Sequence, residues 1–205
     1  GGRVAIDVTR CVGCSACIDA CAAKKLEASR DAVAAMEAVR RHEGPVYALV
    51  APAFMGQFSE AVTPGMLRSA FLRLGFDGMI EVALFADILT LKEALEFDKN
   101  ITREGDFQLT SCCCPLWIAM IRKIYSELQS HLPASVSPMI ACGRSVKALH
   151  PDALTIFVGP CIAKKDEVLR PEVSEYVDCV LTFEEMQAMI YAKHIDMKTL
   201  DPIEL

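Results

Sequence analysis

Residues Val46–Phe54 read VYALVAPAF, a continuous apolar run that follows the Gly44-Pro45 break. A strand with one wet face alternates apolar and polar residues. A run apolar on both faces is a strand buried on both sides, the mark of a parallel sheet. Outward from it, the apolar period switches repeatedly between helix and strand. Residues 26–42 predict an amphipathic helix with Leu26, Val33, Met36 and Val39 on one side. Helices are expected over 64–76, ending near Gly75, and over 88–101, 115–128, 137–149 and 183–195. Pro115 stands first in its helix, where the missing N–H costs nothing. Strands are expected over 79–86, 107–113, 154–161 and 177–182. Such alternation predicts an α/β fold, with right-handed crossovers and a parallel sheet flanked by helices. Neither internal repeats nor low-complexity tracts interrupt it.

The chain has 205 residues, 53% hydrophobic and 23% charged, which describes a globular protein. Its net charge of −6, with no basic tract, argues against nucleic acid as a partner. Membrane helices need about 20 consecutive apolar residues, and no run approaches that length, so no membrane span is expected. No signal-peptide pattern precedes the first cysteines, and a cytoplasmic setting is expected. His42, His131, His150 and His194 are scattered outside any ligand pattern and read as surface residues.

Ten cysteines is heavy usage. A long, helix-rich chain fits a metal protein in a reducing compartment better than a secreted disulfide scaffold. Residues 11–21, CVGCSACIDAC, place Cys11, Cys14, Cys17 and Cys21 at C-x2-C-x2-C-x3-C spacing. That ferredoxin-like spacing wraps a 4Fe–4S cubane; zinc is the other reading, although zinc motifs usually come as separated pairs. In two-cluster ferredoxins the fourth cysteine serves the other cluster, and Ala22 stands here where a proline is usual. Cys21 is thus either an adapted fourth ligand or a sign that a second cluster motif is missing upstream. We divide the chain into an iron–sulfur segment with its connecting helix, 1–42, and an α/β domain, 43–205.

Two loops leave the carboxyl ends of expected strands and lead towards helices, the edge where parallel sheets bind ligands. One carries Cys112–Pro115 within TSCCCPLW (110–117); the other is GPCIAKKDE, Gly159–Glu167. Adjacent cysteines do not readily form a disulfide with each other, and three in a row are too reactive to serve as core filler. If both strands share one sheet, Cys114 and Cys161 approach a single metal centre. Cys142 and Cys179 lie in ordinary helix and strand contexts and read as small buried hydrophobes. Glu93 and Glu96, three apart on one helix face, are either a functional pair or a solvated face.

The ferredoxin-like head, TSCCCPLW and GPCIAKKDE together resemble the FeFe-hydrogenase catalytic domain, whose first two signatures have the forms TSCCPxW and MPCxxKxxE. LVAPAF, GFDGMIEVALFADILTLKEALEF and VDCVLTFEEM are similar to the family too, in the same order, from about Val46 to Met189. The tripled cysteine and Gly159-Pro160 resemble its sensory branch. The resemblance implies an H-cluster, a 4Fe–4S cubane joined to a two-iron unit. Cys114 and Cys161 would be cubane ligands, and Cys113 the thiol that passes protons. Lys164 would hold a cyanide, and Glu167 would fill the acidic position of the second signature. Glu93 and Glu96 would lie on the proton route. Ala51, Pro52, Ala53, Ser111 and Pro160 would line the cofactor pocket. The third signature, ExMACxxGCxxGG, is absent from the 205 residues, and Pro133 stands where the proton route often has a serine. Two functions follow. One is reversible H2 oxidation and proton reduction, catalytic or sensory, with electrons relayed through the head cluster. It would use a redox partner such as ferredoxin, and a segment or second chain carrying the third signature. The other is a non-catalytic iron–sulfur protein of the same fold, for sensing, electron transfer or cluster assembly.

Overall fold

The computed structural model describes residues 5–7, 9–110 and 113–204. Eight α-helices are present among them: α1 (Ala16–Asp19), α2 (Ala32–Arg41), α3 (Pro64–Leu74), α4 (Ala83–Asn100), α5 (Pro115–Ile124), α6 (Pro138–Leu149), α7 (Ala163–Glu167) and α8 (Phe183–Ala192). Four strands, β1 (Val46–Val50), β2 (Gly78–Glu81), β3 (Leu154–Gly159) and β4 (Cys179–Thr182), form one sheet. Their order is β2-β1-β3-β4 and every pairing is parallel. The central register aligns Leu49 with Ile80 on one side and with Phe157 on the other. Ala48, Leu49, Val50, Ile156 and Val158 are fully buried, as the unbroken apolar runs require. The fold is therefore the expected parallel sheet flanked by helices: α6 lies on β1 and β3, α8 on β3 and β4, and α3 on β2. No helix among the described residues is long and apolar enough to cross a membrane.

Local chemistry sets the helix ends. The Thr63 and Ser137 hydroxyls accept the N–H groups of Met66 and Ile140, with Pro64 and Pro138 at the first helical positions. Gly75 closes α3 at φ +101°, a left-handed turn that a side chain would strain. Thr182 both ends β4 and caps α8, and Glu185 completes a capping box.

Several expected boundaries move. The 79–86 run splits after Glu81, and α4 begins at Ala83. Buried Val82 and Leu89, with Phe85 half-buried between them, fall at helical spacing, and packing follows that period. Residues 107–110 form no strand; Leu109 donates to the His131 carbonyl, and the Phe107 ring stacks on His131 at 3.9 Å. That segment is thus held by the turn at 126–131, outside the sheet, and the expected strand at 107–113 is overturned. Ser111 and Cys112 lie outside the described residues. The 26–42 helix starts only at Ala32, because side chains hold the segment before it. Lys165 Nζ donates to the Ser29 carbonyl (2.8 Å), Asp31 (2.7 Å) and Glu185 (2.8 Å), and Asp31 N–H donates to Glu185.

Two predictions follow from this packing. A Cβ on Gly143 of α6 would press on the Tyr176 carbonyl and sit 2.8 Å from Val177 Cγ2. Gly143→Ala should therefore lower the urea-unfolding free energy by about 2 kcal/mol, because backbone must shift to admit the methyl; unchanged stability would refute that packing. Burial pushes the Glu185 carboxyl up, but the Lys165 ammonium and the N–H groups of Thr182 and Asp31 outweigh it and hold it below its ordinary value of 4.5. A depressed folded value means that this contribution is complete above that pH and is lost as pH falls through the folded value. The stability gap between the parent chain and Glu185→Gln should shrink between about pH 6 and pH 3. A gap constant across that range would contradict the Lys165 pairing.

Candidate functional site

The site is built at the carboxyl edge of the sheet. Where β1 stops, Ala51 N–H donates to the Val158 carbonyl at 2.8 Å, which clasps the ends of β1 and β3 together. A Cβ on Gly159 would lie 3.2 Å from Ala51 Cβ and 2.6 Å from the Phe157 ring, so the missing side chain is what lets the strands close. Beyond it, Pro160 is exposed, Cys161 half-buried, and the chain turns into α7. Pro52 and Ala53 form an exposed single turn beside buried Ala51.

Two residues of α7 point inward. Lys164 and Glu167 are only 8% and 7% exposed, with Nζ 2.7 Å from Oε2. A lysine buried to that degree needs partners. Its second is the carbonyl of Cys113, 51 residues away in sequence, at 2.9 Å. That bond draws the Cys113–Pro115 turn onto the Cys161–Glu167 loop. The two cysteine loops therefore meet, though not as two strand ends: only Cys161 leaves a strand, while Cys114 caps a helix.

Cys114 is the N-cap of α5, and its Sγ accepts the Trp117 N–H at 3.5 Å. Cys113 is exposed. The Trp117 indole N–H, one turn along α5, is buried without an acceptor among the described residues, an unmet donor close to an anion-holding turn. Soft thiols at a helix N-terminus beside a buried ammonium suit an anionic iron–sulfur group.

Glu93 and Glu96 sit half-buried on α4. Glu96 accepts the Ala134 N–H at 3.0 Å, and Lys92 Nζ donates to the Ala134 carbonyl and Ser135 Oγ. This part of α4 thus holds the loop that follows buried Pro133, which describes a structural clamp as well as a carboxylate pair.

In the head, Cys11, Cys14 and Cys17 are exposed and Cys21 is half-buried. Gly13 and Ser15 take positive φ, turning the loop sharply between ligand positions. Cys21 Sγ accepts the Lys25 N–H at 3.4 Å. That N–H, helped by those of Leu26, Ala23 and Lys24, holds the thiol below its usual range. No three His, Cys, Asp or Glu among the described residues converge on a single ion; by donor chemistry alone, the four cysteine thiols of residues 11–21 suit an iron–sulfur group. Cys142 behaves as a small buried hydrophobe, whereas Cys179 is only half-buried; desolvation pushes their thiols up to about 12 and about 11. Lys165, which ties the connecting segment to α8, carries no signal in the sequence that would have singled it out.

The chain aligns at 30% identity over 152 residues with Iron hydrogenase 1 of Clostridium pasteurianum, covering 68% of this chain and 26% of that protein. It aligns at 27% over 217 positions with the NADP-reducing hydrogenase subunit HndD of Solidesulfovibrio fructosivorans, covering 94% and 37%. A shorter match, 32% over 101 residues, is to the cytosolic Fe-S cluster assembly factor NAR1 of Kluyveromyces lactis, covering 49% and 22%. The fold superposes on a cysteine-to-histidine variant of the apo [FeFe]-hydrogenase HydA1 of Chlamydomonas reinhardtii with a TM-score of 0.72 at 24% identity, over 83% of this chain and 50% of that one. The chain thus spans about half the length of that solved relative, and between 22% and 37% of these curated ones. The family described as "Iron only hydrogenase large subunit, C-terminal domain" matches residues 44–205, which hold the whole sheet and both cysteine loops, and the chain belongs to that family.

Proposed function

We propose that the chain is the iron–sulfur core of an FeFe-hydrogenase-type protein, acting in H2 oxidation and proton reduction or in sensing. The observation that carries the reading is the bond from buried Lys164 to the Cys113 carbonyl, which joins the two cysteine loops. Cys114 and Cys161 hold one side of a cubane, as thiolates. The remaining ligands come from a segment or second chain bearing the third signature. When bound, the H-cluster supplies the interconversion of H2 with protons and electrons. Cys113 offers an exchangeable proton at Sγ. Lys164 has three donors; Cys113 and Glu167 take two, and the third is available to an anionic ligand such as cyanide. Ala51, Pro52, Ala53 and Pro160 line that side of the cofactor pocket. Glu93 and Glu96 carry protons towards solvent. The head binds a 4Fe–4S cluster through Cys11, Cys14, Cys17 and Cys21 and exchanges electrons with a redox partner such as a ferredoxin, in the cytoplasm.

A second reading is a non-catalytic iron–sulfur protein of the same fold, for sensing, electron transfer or cluster assembly. It is favoured by the 32% identity to the assembly factor NAR1.

The test is a serine series in anaerobically reconstituted protein completed with the third-signature segment. Cys114→Ser and Cys161→Ser should each lower bound iron, whereas Cys113→Ser should keep it and slow H2 chemistry by about a hundredfold or more, the loss of one proton carrier. Equal iron loss from all three would make the run a shared metal strip. Bound iron without infrared bands of carbonyl and cyanide, and without H2 turnover, would establish the second reading. In a separate prediction, Cys14→Ala should remove one cubane's electron paramagnetic resonance signal and leave the fold of 46–189 intact. Release of zinc instead of iron would refute the head assignment.

A further inference from the structure

The geometry points to Lys123 as the residue that docks the iron–sulfur head onto the α/β body and tunes its electrons. Lys123 lies in the last turn of α5, the helix capped by Cys114. Its Nζ donates to the Cys11 carbonyl at 2.6 Å, across 112 residues of sequence. A second contact flanks it: a Cβ on Gly13 would lie 3.7 Å from Ala163 Cβ, and Ala163 is two residues beyond Cys161. The first ligand turn of the head thus rests on both arms of the site, one through α5 and one through α7.

Chemistry favours lysine at this spot. A cation in the last turn of a helix meets its negative end, which steadies the ammonium where it is needed. The carbonyl it holds belongs to a candidate cluster ligand, so the positive charge stands close to the place where an added electron would reside. The carboxylate of Asp7, lowered chiefly by hydrogen bonds from Thr9, also feels this ammonium. A cavity of about 750 Å³ lies between head and body, lined by Cys11, Gly13, Lys123, Ile162 and Cys179. With that space beneath it, the head is placed by discrete contacts more than by close packing. At 1.5 Å per residue, α5 sets Lys123 about 14 Å from Cys114 along one rigid axis. Lys123 is therefore a positioning residue: it fixes where the head's cluster stands relative to the Cys114 turn, and its charge favours the reduced cluster. This role rests on the reading of the head as a 4Fe–4S carrier.

The experiment compares the reconstituted chain with Lys123→Met, which keeps the stem but loses donor and charge, and with Lys123→Arg, which restores both. In Lys123→Met, amide exchange over residues 9–21 should speed up by about threefold, the scale of an exposed charged contact. The head cluster's midpoint potential should move to more negative values. Lys123→Arg should return both towards the parent, and about 0.5 M salt should shrink the exchange difference. Unchanged exchange and unchanged potential in Lys123→Met would overturn the proposal. If the parent head takes up no iron while Lys123→Met still loosens it, the dock stands and the cluster reading of the head falls.

Discussion

A lysine buried to 8% exposure cannot stand alone, and much of the site follows from how Lys164 is satisfied. Glu167 neutralises it from one turn away, which costs no long-range order. The Cys113 carbonyl is the expensive partner, because holding it requires α5 and α7 to meet. That meeting brings the Cys114 turn to a sheet edge it does not otherwise reach, since residues 107–110 never join the sheet. The bond from Lys164 to the Cys113 carbonyl thus does what a fifth strand was expected to do, with one cation in place of a ladder of backbone bonds.

Much of the fold was legible because its signals are local. The apolar runs at 46–54 and 154–161 read directly as buried strands, although the strands stop at Val50 and Gly159, and proline at 64, 115 and 138 marked three helix starts to within a residue. The errors arose where a short apolar stretch fits two periods. MIEVALFA was read as one strand, but its buried positions follow a helical count after Glu81. FQL looked like a strand until His131 supplied a ring and a carbonyl from outside any sheet. Such partners are invisible in a sequence because they depend on where a distant turn lands.

The site divides the same way. The two cysteine signatures and the head were visible as spacings, and the family follows from them. What spacing could not give is which thiols are held ready and which are inert. Backbone N–H groups close on Cys21 and hold its thiol low, whereas desolvation pushes the Cys142 and Cys179 thiols up. One residue type thus serves two ends, and the local dielectric sets the difference. Lys123 and Lys165 escaped for another reason: exposed and half-buried lysines look alike until distant partners, Cys11 for one and Ser29 and Asp31 for the other, are in place.

The strand order has a consequence for the chain as it is made. β1 pairs with β3, and about a hundred residues separate them. At the roughly 5–20 residues per second of synthesis, β1 spends several seconds with only β2 beside it, its other edge unpaired. The head's four cysteines leave the ribosome before any of this, and Cys161 leaves only as β3 arrives. On the proposed function, metal loading would therefore be ordered in time. The head could be filled on a nascent chain, whereas the two cysteine loops do not meet until the sheet closes. Whatever delivered iron to the second position would meet a folded lobe, and whatever protected the first would act on an unfinished one.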